Sequence, residues 1–183
     1  MMDSTAQIAQ TCATIAPLDQ AAMDAARARQ KQLTKPEGSL GRLESLSIQL
    51  AGITGQARPQ VEHKAVIVLA GDHGVVAEGG SAYPSDVTAQ MVLNFLRGGA
   101  AINALARQAG ARVIVADVGL AADLPPHLDV FQYKIARGTA NFVRQPAMSR
   151  QQAARAVQIG IDIVSDQVAQ GLDVPADDVF ILD

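Results

Sequence analysis

Asp72 and His73 are the residues of this chain whose types and placing most suggest chemistry. A branched apolar run, Ala65 to Leu69, stops abruptly at Gly71-Asp72-His73-Gly74. In an open parallel sheet, ligands bind at the carboxyl ends of strands. A carboxylate and an imidazole held between two glycines at such a point could bind a ligand or help a proton move. The same residues also fit a plain structural reading, in which Asp72 caps a turn and His73 satisfies a backbone carbonyl. Metal chemistry is not expected: the histidines are His63, His73 and His127, none in HxH or HExxH spacing, and Cys12 is the single cysteine.

Further candidates surround this point. Gly79-Gly80-Ser81-Ala82-Tyr83-Pro84 is a loop of small residues with one aromatic, and Tyr83 can either wall a flat heteroaromatic ligand or staple the following helix. Gln90 and Met91, in the first two turns of that helix, suit a ring with one polar edge. They also fit a solvated amide and a core thioether. Lys35-Pro36-Glu37-Gly38-Ser39-Leu40-Gly41-Arg42 reads as a helix stop, a turn and a Ser39 cap, with an anion-binding role as the alternative. Arg137-Gly138-Thr139-Ala140-Asn141 follows a strand candidate and could face the same crevice as Asp72. GxGxxG, Walker A and GxSxG are all absent, which removes the common nucleotide loops and the hydrolase elbow as signals.

The elements that must position these residues fall into two stretches. Residues 1–60 read as helical. Asp19 can cap a helix through QAAMDAARARQKQL, and Ser39 precedes LGRLESLSIQLAG, whose Leu40, Leu43, Ser47 and Leu50 trace one face. TGQARPQ reads as a linker. From residue 61 strands alternate with helices: strand Ala65–Ala70, helix Asp86–Arg97 capped by Ser85, helix Ala100–Ala109, strand Arg112–Val118, a less regular strand Val130–Ala136, a helix opened by the S-x-x-Q box Ser149–Gln152 and running to about Gly171, and a strand Val179–Leu182. This predicts an α/β fold: a mostly parallel, Rossmann-like sheet flanked by helices, preceded by a small helical N-terminal region. The expected division is 1–60 and 61–183.

Composition narrows the classes. The 183 residues suit one domain or one with an appendage, and 49% hydrophobic residues argue against disorder. A net charge of −3 and 3% aromatics give neither a basic footprint nor a stacking platform for nucleic acid. No apolar run approaches the ~20 residues of a membrane span. One cysteine and no basic leader point to a reducing, cytoplasmic setting.

Three ordered blocks carry a specific resemblance: LTKPEGSLGRLESLSIQLAGITG, then AVIVLAGDHGVVAEGGSAYPSDVTAQMVLNFLRGGAAINALARQAGARVIVADVG, then KIARGTANFVRQPAMSR. From about Leu33 to about Gly171 the chain resembles the nicotinate-nucleotide:dimethylbenzimidazole phosphoribosyltransferases of cobalamin assembly. The resemblance implies transfer of ribose 5-phosphate from nicotinate mononucleotide to 5,6-dimethylbenzimidazole, giving α-ribazole 5′-phosphate and nicotinate. It also implies a homodimer and no metal or organic cofactor. By position, Tyr83, Gln90 and Met91 match the wall for the benzimidazole ring, and Asp72 and His73 match an Asp-His pair that shapes the pocket. The family's phosphate-gripping loop and its catalytic glutamate have no counterpart here, and neither Glu78 nor Asp72 matches that base. The catalytic residue is therefore left unassigned, and the chain, ending on Val179–Leu182 and Asp183, reads as the amino-terminal part of the fold, with the carboxyl half missing. The other reading of such a chain is a non-catalytic fragment that binds the base or dimerises.

Overall fold

The computed structural model describes residues 3–125 and 129–178. They divide into two compact units, Thr11–Val61 and the remainder.

The first helix, α1 (Ser4–Thr14), has no buried residue and begins in the larger unit. Within the smaller unit, α2 (Gln20–Gln30) packs on α3 (Arg42–Thr54). Asp19 caps α2 as its position predicts, its Oδ1 accepting from the Ala22 N–H at 2.9 Å. Small residues let the two helices close. Ala22, Ala26 and Ala51 form the buried cluster, and a Cβ on Gly52 would fall 2.7 Å from the Met23 side chain. This explains why the expected leucine face is not the buried one. Leu40 and Leu43 are 50% and 64% exposed, because the helix turns its Ile48–Ala51–Gly52 side inward. Nor does Ser39 cap α3. Gly41, at φ +53°, is the N-cap, and the Glu44 carboxylate takes the Leu40 N–H (3.2 Å) and the Lys35 ammonium (2.6 Å) instead. Lys35 is thus paired within the turn.

The larger unit is an α/β layer structure. Its sheet, among the described residues, holds β1 (Lys64–Gly71), β2 (Ala111–Gly119), β3 (Phe131–Gln132) and β4 (Val174–Asp178), all parallel, in the order β3-β2-β1-β4. Successive side chains of β1 alternate between faces. Val66, Val68 and Ala70 pack with Val92, Phe95 and Ala106 from α4 (Asp86–Leu96) and α5 (Ala101–Ala109); Ala65 and Ile67 pack with Ile159 and Ile163 of α6 (Arg150–Ala169). Helices therefore cover both faces, and the strand order reverses between β1 and β4.

Several boundaries differ from expectation for local reasons. The Val130–Ala136 strand shrinks to Phe131–Gln132, both exposed; beyond it Tyr133 and Ile135 still donate N–H bonds to the Asp117 and Val118 carbonyls of β2, but outside a regular ladder. Ser85 occupies the N-cap of α4 in helical conformation (φ −56°, ψ −24°), so its hydroxyl makes no cap bond. The strand expected at Val179–Leu182 lies outside the described residues. β4 immediately precedes it, and Lys64 of β1 pairs with Val174. Asp173 sets that register, its Oδ2 accepting the Glu62 and His63 N–H groups at 2.9 Å each. Among the described residues no helix is long and apolar enough to cross a membrane.

Candidate functional site

A cleft of ≈ 640 Å³ opens where β1 and β2 end. Gly71, Asp72 and His73 line it from β1, and Val118 and Gly119 from β2. The Arg137–Ala140 segment and the first turns of α6 complete it. The lining is mostly backbone and small side chains, the composition that lets a ligand approach main-chain N–H and C=O groups closely. The sequence pattern anticipates the meeting of Asp72-His73 with Arg137-Gly138-Thr139-Ala140, since both follow strands of one sheet.

Asp72 is the hub of this region. It is buried, and it ties three segments together: its N–H donates to the Gly119 carbonyl (3.0 Å), its carbonyl accepts from Thr139 N–H (2.9 Å), and its Oδ2 accepts from Ala121 N–H (2.7 Å). Asp117 works beside it. With its side chain fully buried, its Oδ1 accepts the Gly119 and Leu120 N–H groups (3.1 and 2.9 Å), and the Lys134 ammonium lies 2.9 Å from its Oδ2. The same ammonium donates to the Leu120 and Ala122 carbonyls at 2.6 and 2.8 Å. Arg137 adds bonds to the Ala121 carbonyl and to Asp123, whose carboxyl the guanidinium holds below the usual carboxylate range. Lys134 and Arg137 thus grip the loop after β2, while Tyr133 and Ile135 donate backbone N–H bonds to β2 itself.

His73 begins a 3-10 turn, Gly74–Glu78, where sequence spacing indicates only a glycine-rich loop. The ring-wall candidates Tyr83, Gln90 and Met91 lie apart from the cleft lining. Tyr83 is 66% exposed, set by a turn in which Ser81 Oγ donates to the Tyr83 carbonyl and accepts from its N–H. Gln90 is exposed, and Met91 packs against the core under α4. Gln145, Pro146 and Met148, which also line the cleft, fall in the third resemblance block but are not singled out there as site residues. The one signal nearby is the capping box, which the structure shows closed: Ser149 Oγ accepts from Gln152 N–H (3.2 Å) and Gln152 Oε1 from Ser149 N–H (2.8 Å). His127 lies outside the described residues. Among the described residues no group of three His, Cys, Asp or Glu side chains is placed to hold a metal ion.

A parallel α/β sheet with a cleft at its strand ends is an arrangement in which small-molecule ligands bind. The family model described as "Phosphoribosyltransferase" matches residues 15–176, and the chain belongs to that family. A nicotinate-nucleotide–dimethylbenzimidazole phosphoribosyltransferase of Roseiflexus sp. (strain RS-1) is 59% identical over 169 residues, 92% of this chain and 48% of that protein. The protein of the same description from Desulforudis audaxviator (strain MP104C) is 53% identical over 166 residues, 91% of this chain and 47% of its own length. The crystal structure of such an enzyme from Thermus thermophilus superposes with a TM-score of 0.84 at 45% identity, covering 89% of this chain and 49% of that one. The chain spans about half the length of the curated relatives it matches.

Proposed function

We propose that this chain forms part of a nicotinate-nucleotide:5,6-dimethylbenzimidazole phosphoribosyltransferase, acting as a homodimer, and that its own contribution is to bind the benzimidazole. The observation that carries the reading is the strand-end cleft organised by Asp72, in a chain of this family. In the reaction, a benzimidazole ring nitrogen forms a bond to the ribose anomeric carbon while the bond to the nicotinate ring nitrogen breaks, its electron pair leaving with nicotinate. The second benzimidazole nitrogen gives up its proton to a general base. The products are α-ribazole 5′-phosphate and nicotinate.

The side chains of this chain fit supporting parts in that scheme. Asp72 is occupied by the Ala121 N–H and shapes the cleft, while the exposed Tyr83 and Gln90, which lie outside the cleft lining, fit the family's wall for the flat base by position. Met91 holds α4 against the core beneath them. An ultraviolet difference titration with 5,6-dimethylbenzimidazole tests this. Wild type should bind saturably, and Tyr83→Ala should bind at least fivefold more weakly. Equal binding by both would remove Tyr83 from the site, and absence of binding by wild type would remove the base-binding reading.

A further inference from the structure

We propose that Gly74 and Glu78, the two ends of the 3-10 turn after β1, are positioning residues that clamp the 139–148 segment and so set the width of the cleft. The inference rests on the reading of that cleft as a substrate site. Neither residue lines the cleft itself; both act through the segment that does.

Gly74 is glycine for space, not for backbone conformation, since it is not among the residues with positive φ. A Cβ there would fall 2.5 Å from the Thr139 carbonyl oxygen, 2.7 Å from Asn141 N and 2.8 Å from Ala140 C. All three are backbone atoms of one segment, so no side-chain rotation relieves the clash. Two bonds hold this close approach: Gly74 N–H to Thr139 Oγ1 (3.2 Å) and Thr139 N–H to the Asp72 carbonyl (2.9 Å). At the other end of the turn, the Glu78 carboxylate accepts from Asn141 Nδ2 and pairs with Arg144 at 3.1 Å.

The clamped segment is closed on itself. Ala140 N–H donates to the Ala147 carbonyl at 2.8 Å, and the Arg144 and Gln145 N–H groups donate to the Asn141 carbonyl. A displacement at residues 139–141 therefore carries to Ala147 and its neighbours Pro146 and Met148, which form a wall of the cleft. A wider cleft grips a flat ring less closely, so the clamp tunes affinity and ring selectivity without touching the ligand.

The test uses Gly74→Ala, Glu78→Arg, Arg144→Glu and the double Glu78→Arg/Arg144→Glu, with Gly80→Ala as control because a Cβ at Gly80 meets nothing within 4 Å. Two quantities are read: hydrogen exchange of the Ala140 amide without ligand, and the dissociation constants for 5,6-dimethylbenzimidazole and nicotinate mononucleotide, titrated separately. Gly74→Ala should raise Ala140 exchange more than tenfold and weaken the ligand that wild type binds by a similar factor, at unchanged helix content. Each charge reversal should raise exchange about threefold, and the double variant should return both readouts towards wild type, which general damage to the fold would not do. Unchanged exchange in Gly74→Ala, or single reversals whose effects simply add in the double, overturns the clamp. If Gly74→Ala does not fold, the reversal pair decides alone. If wild type binds neither compound, the exchange data still decide the clamp, and the substrate reading fails separately.

Discussion

The Lys134 ammonium sits 2.9 Å from the Oδ2 of Asp117, a carboxylate whose side chain has no solvent exposure. One cation therefore neutralises a buried charge and holds two carbonyls of the loop that carries Ala121, the Asp72 partner. Lys134→Met leaves that charge buried and unpaired, which costs about 3 kcal/mol. Urea denaturation should show this loss, and the Lys134→Met/Asp117→Asn double should recover most of it, because an Asn side-chain oxygen can still accept the Gly119 and Leu120 N–H groups.

This arrangement also shows how far the sequence can be read. Ala65–Leu69 announces β1 because branched apolar residues run into Gly71, and Asp19 and Ser149 cap helices as their spacing requires. The meeting of Asp72 with Arg137–Ala140 follows from both lying just past strands. The short β3 was not legible, because VFQYKIA has strand-like composition throughout, while the regular ladder with β2 takes in only Phe131 and Gln132 and the side chains of Lys134 and Arg137 bond to the loop after β2. The face of α3 was misread because alanines and a glycine, not leucines, allow the close approach to α2. The wall formed by Gln145, Pro146 and Met148 has no local pattern of its own, since its segment is held by a contact between Gly74 and Thr139, 65 residues apart in the chain.

Asp72 is predicted to act by geometry. Asp72→Ala removes the acceptor of the Ala121 N–H and costs about 1 kcal/mol. Asp72→Asn keeps an accepting oxygen and should retain most of that stability. The comparison by chemical denaturation separates the hydrogen bond from the charge: equal losses in the two variants would mean the negative charge is what matters.

Ser149 should contribute as a cap. Its hydroxyl takes an otherwise unpaired N–H in the first turn of α6, so Ser149→Ala should lower stability by about 1 kcal/mol, and Ser149→Asp should not. Thermal melts of the three proteins check this.

Acid should loosen the turn before α3. The Lys35 hydrogen bond, and then the Leu40 N–H, hold the Glu44 carboxyl below its ordinary value of 4.5. A carboxyl lowered on folding stabilises above its unfolded pKa, and that stabilisation is lost as pH falls through the lower folded value. A melting-temperature profile from pH 7 downward should fall more steeply below about pH 4.5 in wild type than in Glu44→Gln. Parallel profiles would mean the Lys35–Glu44 pair does not contribute.

The central claim, that this chain forms a base-binding site of a phosphoribosyltransferase, is tested most directly by calorimetric titration with 5,6-dimethylbenzimidazole and, separately, with nicotinate mononucleotide. Saturable binding of the benzimidazole is expected, with markedly weaker or no binding of the mononucleotide. Binding of the mononucleotide alone, or of neither compound, would contradict it.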